Sequence, residues 1–220
     1  MIAMLLAAGR GERMRPLTDS MPKALLEVDG VSLLERHLAM LAEAGVMTVV
    51  INLGWCGEQI VERVGSGQAF GLRVVYSPEY DKVLETGGGI RRALPLLGPE
   101  PFWVVNADVY TDYRISNVAL TTESLAHLVL VPTPAHKPAG DFDLVQGKVQ
   151  NAERPSLTFS GIACYRPQFF AGLEPGRFPL APLLRREADA GKLSGSLFNG
   201  VWHDVGTPER LAALNGAAGP

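Results

Sequence analysis

The chain lacks most of the features that mark disulfide-stapled, membrane-spanning or nucleic-acid-binding proteins. Its two cysteines, Cys56 and Cys164, are far apart and fit no metal-ligand spacing, which predicts reduced thiols in a cytoplasmic protein. The net charge of −3 gives no support for binding to nucleic acid. The apolar run at residues 2–8 is too short to span a membrane, and no basic segment precedes it, so it does not predict a signal peptide.

The composition favours a folded enzyme. Hydrophobic residues make up 47% of the chain and glycine occurs 24 times, which suits a loop-rich α/β protein rather than a disordered one. We detect no internal repeat and no low-complexity segment. The length of 220 residues predicts one domain, spanning residues 1–220, with a sizeable core.

A basic, glycine-containing loop follows the first apolar run. Gly9 and Gly11 stand at a turn, where glycine lets the backbone N–H groups approach an anion closely. Positive charge around this turn comes from four side chains: Arg10, Arg13, Arg15 and Lys23. The pattern predicts a loop that binds a polyphosphate, and a simple surface turn after a strand is the alternative.

Two familiar phosphate-binding loops do not fit this stretch. The dinucleotide fingerprint requires a third glycine three residues after Gly11, and Met14 stands there, which disfavours a dehydrogenase. The P-loop requires Lys-Ser or Lys-Thr directly after its last glycine, where this chain has Glu12 and Arg13.

Apolar runs and turn signals predict alternating strands and helices. Strands are predicted at 2–8, 46–53, 72–76, 102–106, 127–132 and 156–165, and helices at 56–64, 90–97 and 181–190. A further helix begins with the capping-box pair Ser32 and Glu35 and ends at Gly45. Hairpins are predicted around Gly147 and across 194–205. The glycines at 87–89 precede the predicted helix at 90–97 and form a second place where backbone can press against a flat ligand, with a flexible linker as the alternative.

Polar residues follow two of these predicted strands. Asn106 and Asp108 come at the carboxyl end of a buried strand, the position where open α/β sheets bind ligands. Asp204 lies in the second predicted hairpin, just before Thr207 and Pro208, which predict the start of the last helix. A role as a turn or helix cap is the alternative for both aspartates.

The stretch LAAGRGERMRP at residues 6–16, followed by Pro22 and Lys23, resembles the signature of the sugar-1-phosphate nucleotidylyltransferases. Matches at 84–89 and 202–207 extend the resemblance over nearly the whole chain. Glu12 replaces the usual threonine, a change that leaves the backbone loop intact. The resemblance implies a Rossmann-like (GT-A-like) three-layer α/β sandwich with a mostly parallel central sheet and β-hairpin insertions on the sugar side. Its nucleotide-binding part would span about 1–112 and its sugar-binding part about 113–220.

The resemblance also implies residue roles. The catalytic set would be Arg13, Lys23, Asp108 and Asp204, of which the two aspartates would bind Mg²⁺. Nucleotide-binding residues would be Ala8, Gly9, Gly11, Glu12, Arg13, Lys23, Glu79, Gly87 and Gly88. Substrate-binding residues on the sugar side would be Asn106, Asp141, Glu153 and Gly161. None of the four histidines is assigned a catalytic role.

The implied reaction is the Mg²⁺-dependent transfer of a nucleotidyl group to a sugar 1-phosphate, with release of pyrophosphate. Within the family, the stretches GERMRPLT, LETGGGI, GDFDL and FSGI most resemble the members of bacterial cell-wall recycling, which implies UTP and N-acetylmuramic acid 1-phosphate as substrates. Glucose 1-phosphate with UTP or dTTP and mannose 1-phosphate with GTP are alternatives. So is a non-catalytic nucleotide-sugar sensor, which the retained catalytic set disfavours. No nucleic-acid or membrane partner is expected, and the chain is expected to be a monomer or a weak homo-oligomer.

Overall fold

The computed structural model describes residues 1–80, 83–116, 118 and 120–217. The helices are α1 (Leu33–Glu43), α2 (Gly57–Val64), α3 (Glu85–Leu97), α4 (Ala181–Asp189) and α5 (Pro208–Ala217). The strands are β1 (Ile2–Leu6), β2 (Glu27–Val28), β3 (Val31–Ser32), β4 (Thr48–Leu53), β5 (Arg73–Pro78), β6 (Phe102–Asn106), β7 (Val109–Thr111), β8 (Ala126–Pro132), β9 (Asp143–Val145), β10 (Lys148–Gln150), β11 (Leu157–Tyr165), β12 (Leu193–Leu197) and β13 (Trp202–Asp204). In the described part of the chain, no helix has the length and apolar character needed to cross a membrane.

Nine strands form one central sheet in the order β5-β4-β1-β6-β11-β8-β12-β10-β9. The pairings give all of them one direction except β10 and β11, which run the opposite way. The predicted mostly parallel sheet is therefore confirmed. The predicted hairpin around Gly147 is also confirmed, since β9 and β10 pair in antiparallel register on either side of it.

Helices cover both faces of the sheet, which gives three layers. Alternate residues of β1 point to opposite faces, as the pleat of a strand requires. Ala3 and Leu5 belong to the core cluster that includes α1 and α2, whereas Met4 belongs to the cluster that includes α3 and α4. A strand buried on both faces explains why the first run of the sequence is continuously apolar.

Helix α1 begins where its sequence pattern predicts. The Ser32 hydroxyl accepts a hydrogen bond from the backbone N–H of Glu35, and the Glu35 carboxylate accepts one from the backbone N–H of Ser32. The helix ends before Gly45, which adopts the left-handed conformation. Its predicted buried residues Leu34 and Leu38 are fully buried.

The predicted hairpin across 194–205 is wrong. Instead, β12 joins the central sheet in parallel register with β8, and β13 pairs with β7 in a separate two-stranded sheet. The sequence predicted two strands here and both are present, but the choice of partner for each strand depends on its packing against distant segments of the chain. The pairing of β13 with β7 places β13 next to the residues that follow β6.

The predicted start of this helix after the three glycines is also wrong, because Gly87, Gly88 and Gly89 lie within α3. The reason is close packing. A Cβ at Gly87 would lie 2.6 Å from the Phe178 ring, and one at Gly89 would lie 2.6 Å from Glu79 Oε1. The absence of side chains lets the helix approach its neighbours, although glycine lowers intrinsic helix stability by about 1 kcal/mol relative to alanine.

We expect Gly88→Ala to lower the free energy of unfolding by about 1–3 kcal/mol, the usual effect of overpacking. A Cβ at Gly88 would lie 2.1 Å from the carbonyl oxygen of Gly176, so the backbones must separate. Denaturant titration measures the effect. The matched control is Gly176→Ala, whose Cβ would enter open space. Equal stability of the two variants would contradict the packing argument.

Candidate functional site

Three strand ends meet at the same level of the sheet. The register pairs Leu6 with Asn52 on one side and with Asn106 on the other. Two amide side chains therefore flank the end of β1, where the glycine-containing loop begins. This edge of the sheet is the one at which parallel α/β folds bind their ligands.

Asn52 organises the loop and the neighbouring strand. Its Oδ1 accepts a hydrogen bond of 2.7 Å from the backbone N–H of Ala7, and its Nδ2 donates one of 2.8 Å to Glu79 Oε1. Glu79 Oε2 accepts from the backbone N–H of Leu84 at 3.4 Å. All of these polar atoms are buried and partnered, so the network fixes the beginning of the loop against β4 and β5. No functional role was predicted for Asn52. The sequence feature that could have identified Asn52 is an amide residue near the end of an apolar strand, which is also the position of Asn106.

Burial raises the pKa of Glu79 above 4.5, against the hydrogen bonds from Asn52 and Leu84, which lower it. Compared with the unfolded chain, the folded protein therefore favours the protonated carboxyl of Glu79. The stability contributed by this group is present below pH 4.5 and is lost as the pH rises through the folded-state pKa.

We expect the stability difference, wild type minus Glu79→Gln, to fall as the pH rises from about 4.5, because glutamine does not titrate. Denaturant titrations at a series of pH values measure this difference. The control is Glu100→Gln, at an exposed site. A difference for Glu79→Gln that stays flat or rises with pH would contradict the expectation.

A pocket of about 200 Å³ opens at this edge of the sheet. Six of the predicted site residues line it: Ala8, Gly9, Lys23, Glu79, Asn106 and Asp108. Asn52 also lines it, as do Glu85 and Thr86 at the start of α3. Its chemistry is mixed, since backbone, amide, carboxylate and ammonium groups share one opening.

The glycine-containing loop is held from two sides. A Cβ at Gly54 would lie 2.2 Å from the carbonyl oxygen of Ala8, so only glycine lets the β4–α2 connection cross the loop so closely. Gly11 adopts a left-handed conformation, with φ of 64°, and its carbonyl accepts a hydrogen bond from the Thr18 hydroxyl. Glu12, the departure from the family signature, is exposed in the short 3₁₀ turn that follows.

The four basic side chains do not share one task. The Arg10 guanidinium lies 4.1 Å from the ring centroid of Trp55, and Arg15 forms an exposed ion pair with Asp19. Lys23 points into the pocket, where its Nζ lies 2.6 Å from Asp108 Oδ2. The Lys23 side chain is only 12% exposed, so this ion pair is partly shielded from solvent.

Asp204 lies beside Asp108 because of the β7–β13 pairing. The register places Asp204 opposite Val109, and the backbone N–H of Val205 donates to the carbonyl of Asp108 at 2.9 Å. Arg210 Nη1 lies 2.7 Å from both carboxylate oxygens of Asp204. Asp204 therefore makes an ion pair with α5, and Thr207, whose hydroxyl accepts from the backbone N–H of Arg210 at 3.5 Å, occupies the cap position.

Arg13 belongs to the same cluster. A Cβ at Gly206 would lie 3.3 Å from Asp204 Oδ2 and 3.7 Å from Arg13 Nη1. The structure thus brings Arg13 and Asp204 together, although 191 positions separate them (204 − 13). Two carboxylates and the cations Arg13, Lys23 and Arg210 surround this side of the site.

The donor set suits Mg²⁺, which binds carboxylate oxygens together with phosphate oxygens and water. Asp108 and Asp204 are carried by adjoining backbones, and each is now paired with a cationic side chain. Among the described residues, no three His, Cys, Asp or Glu side chains are grouped as metal ligands. The residues that could hold such an ion at this site are Asp108 and Asp204.

The predicted sugar-side residues lie in three different places. Gly161 packs directly on Asn106, since a Cβ there would lie 2.6 Å from Asn106 Nδ2. Asp141 lies in a loop, where Lys137 Nζ and the backbone N–H of Phe159 hold its Oδ2. Glu153 is exposed between β10 and β11 and makes no hydrogen bond or ion pair with the described residues.

Gly87 and Gly88 do not line the pocket themselves. They are buried in α3, and the backbone N–H of Gly88 donates to the carbonyl of Phe178. Any effect of these glycines on a nucleotide would act through the placement of Glu85 and Thr86 at the pocket wall.

The chain matches known proteins over its whole length. The model of the MobA-like NTP transferase domain family matches residues 3–137. N-acetylmuramate alpha-1-phosphate uridylyltransferase of Neisseria meningitidis is 48% identical, with 100% of this chain and 99% of that protein covered. The protein of the same description from Caulobacter vibrioides is 36% identical, with 96% and 95% covered.

Solved structures share the fold. A protein of Bacillus anthracis described as a glucose-1-phosphate thymidylyltransferase superposes with a TM-score of 0.86 at 21% identity, over 99% of this chain and 95% of that one. A UDP-glucose pyrophosphorylase complexed with UDP-glucose superposes with a TM-score of 0.77 at 19% identity, over 98% and 97%.

Proposed function

The chain belongs to the MobA-like NTP transferase domain family and is a sugar-1-phosphate nucleotidylyltransferase, and from this premise we propose that it transfers the uridylyl group of UTP to N-acetylmuramic acid 1-phosphate. A phosphate oxygen of the sugar 1-phosphate attacks the α-phosphorus of UTP. The bond from that phosphorus to the bridging oxygen breaks, and pyrophosphate leaves. The substrate oxygen is already anionic, so the protein need not supply a nucleophile.

The ion pair of Lys23 and Asp108 on the wall of the pocket is the observation that carries this proposal. A phosphoryl-transfer site must offer positive charge to two substrates that repel each other. Lys23 offers such a charge beside the backbone of Ala8 and Gly9, at the carboxyl ends of parallel strands. The site therefore pairs an anion-binding group with a carboxylate that can hold a cation.

Two cationic side chains have proposed roles toward phosphate. Lys23 binds the α-phosphate and stabilises the charge that develops there in the transition state. Arg13, which lies near Gly206 and Asp204, binds the triphosphate tail. Glu79 and the start of α3 form the base side of the pocket, and Asn106, Gly161, Asp141 and Glu153 form the sugar side.

We also propose that Asp108 and Asp204 hold one Mg²⁺. When bound, the ion neutralises phosphate charge and aligns the two substrates for in-line attack. The single domain has two parts in this proposal, a nucleotide-binding part at about 1–112 and a sugar-binding part at about 113–220. The free cysteines Cys56 and Cys164 support a cytoplasmic location.

A pyrophosphate-release screen tests the function. UTP, dTTP, GTP, CTP and ATP are each combined with the 1-phosphates of N-acetylmuramic acid, N-acetylglucosamine, glucose and mannose. We expect the highest kcat/KM for UTP with N-acetylmuramic acid 1-phosphate. Preference for glucose or mannose 1-phosphate would overturn the sugar assignment, whereas no release with any pair would overturn catalysis and favour a sensor.

A further inference from the structure

A second cavity, of about 240 Å³, lies beside Asp204 and outside the nucleotide pocket. The loop at 134–136, β13 and α5 form its walls. Its lining combines apolar groups with four ionisable ones, His136, His203, Asp204 and Arg210, and the apolar residues that matter here are Pro134, Trp202 and Leu214. Because Asp204 belongs to this cavity, a substrate group inside it would lie close to the reacting phosphates.

Only part of the Arg210 guanidinium is used within the protein. Nη1 donates to both oxygens of Asp204, while Nε and Nη2 make no hydrogen bond with any residue that the structure describes. The Arg210 side chain is 29% exposed and lines the cavity. Nε and Nη2 form one edge of the guanidinium, and such an edge binds a carboxylate through two parallel hydrogen bonds.

The turn between β13 and α5 holds Arg210 in this orientation. A Cβ at Gly206 would lie 2.9 Å from Arg210 Nη1, so the guanidinium lies directly against the backbone of this turn. The Asp204 contact fixes the guanidinium from one side. His136 Nε2 lies 3.5 Å from Asp204 Oδ1 and adds a second donor at the cavity.

We propose that Arg210 selects a sugar 1-phosphate that carries a carboxylate, by binding that carboxylate through Nε and Nη2 in the cavity beside Asp204. This inference rests on the proposed function. N-acetylmuramic acid 1-phosphate differs from N-acetylglucosamine 1-phosphate by a lactyl ether, which adds one carboxylate and one methyl group. Arg210 binds the carboxylate, and the apolar side chains of Pro134, Trp202 and Leu214 contact the methyl group.

The test compares these two sugar phosphates as substrates for Arg210→Gln. Glutamine keeps a polar side chain at this position and removes the charged fork. We expect kcat/KM for N-acetylmuramic acid 1-phosphate to fall about 10- to 100-fold more than kcat/KM for N-acetylglucosamine 1-phosphate, with most of the difference in KM. The control is Arg186→Gln, an exposed arginine of α4, which should leave the ratio unchanged. Arg210→Lys, which retains charge without the fork, should lose an intermediate part of the preference and serves if Arg210→Gln does not fold.

Each outcome decides a separate question. If Arg210 only positions Asp204, kcat/KM for both sugar phosphates falls equally and this inference is overturned. If the wild-type protein does not turn over N-acetylmuramic acid 1-phosphate, the proposed function fails and this inference fails with it. If the wild type is active and its preference survives in both Arg210 variants, only the role of Arg210 is overturned.

Discussion

Asp108→Asn is expected to lower kcat by about two orders of magnitude or more, similar to the loss of one preorganised transition-state group. Asparagine keeps the shape of the side chain and removes the charge that the proposed Mg²⁺ requires. The Mg²⁺ concentration needed for half-maximal rate should rise as well. Steady-state kinetics at a series of Mg²⁺ concentrations measure both effects.

Asp204→Asn should give the same two effects. The alternative is that Asp204 serves only as the ion-pair partner of Arg210. In that case the Mg²⁺ dependence of Asp204→Asn would match that of the wild type, and the assignment of Asp204 as a metal ligand would be wrong. Asp112→Asn is the matched control, since Asp112 lies four residues after Asp108 and does not line the pocket.

Lys23→Ala is expected to lower kcat/KM by at least about 100-fold, with much of the loss in kcat. The Lys23 ammonium is the cation on the pocket wall, and its proposed contact with the α-phosphate strengthens as charge develops. The variant also leaves the Asp108 carboxylate without its partner, so thermal unfolding should be recorded alongside the kinetics. Lys148→Ala, at an exposed site on β10, is the control.

Arg13→Ala should act in the same direction, through weaker binding of the triphosphate tail. Its control lies in the same loop, because Arg15 forms an exposed ion pair with Asp19. If Arg13→Ala is as active as Arg15→Ala, the proposed role of Arg13 in binding the triphosphate tail is wrong. Near-wild-type turnover by Lys23→Ala would likewise contradict the assignment of the pocket cation.

Local patterns in the sequence predicted the elements that local forces control. The continuous apolar runs predicted β1, β4 and β6, because a strand covered on both faces needs apolar residues at every position. The pair Ser32 and Glu35 predicted the start of α1, since a capping box involves only residues three apart. The family signature predicted the reaction class, because the glycine-containing loop and the aspartates after strands are local motifs.

Packing between distant segments decided the rest. The glycines of α3 look like a loop by intrinsic preference, yet Phe178 and Glu79 leave room only for hydrogen at Gly87 and Gly89. Arg10 looks like a phosphate ligand but stacks on Trp55. Asn52 has no motif around it, and its importance follows from the register that aligns it with Leu6.

The sequence by itself determined the strand-and-loop pattern, the family and the residue types of the site. Only the tertiary structure decided that β13 pairs with β7, which brings Asp204 next to Asp108 and Arg210 onto Asp204. Strand periodicity states which face of a strand is buried, but it does not state which strand is its partner. That choice depends on hydrogen-bond register and on surfaces that distant parts of the chain bury together.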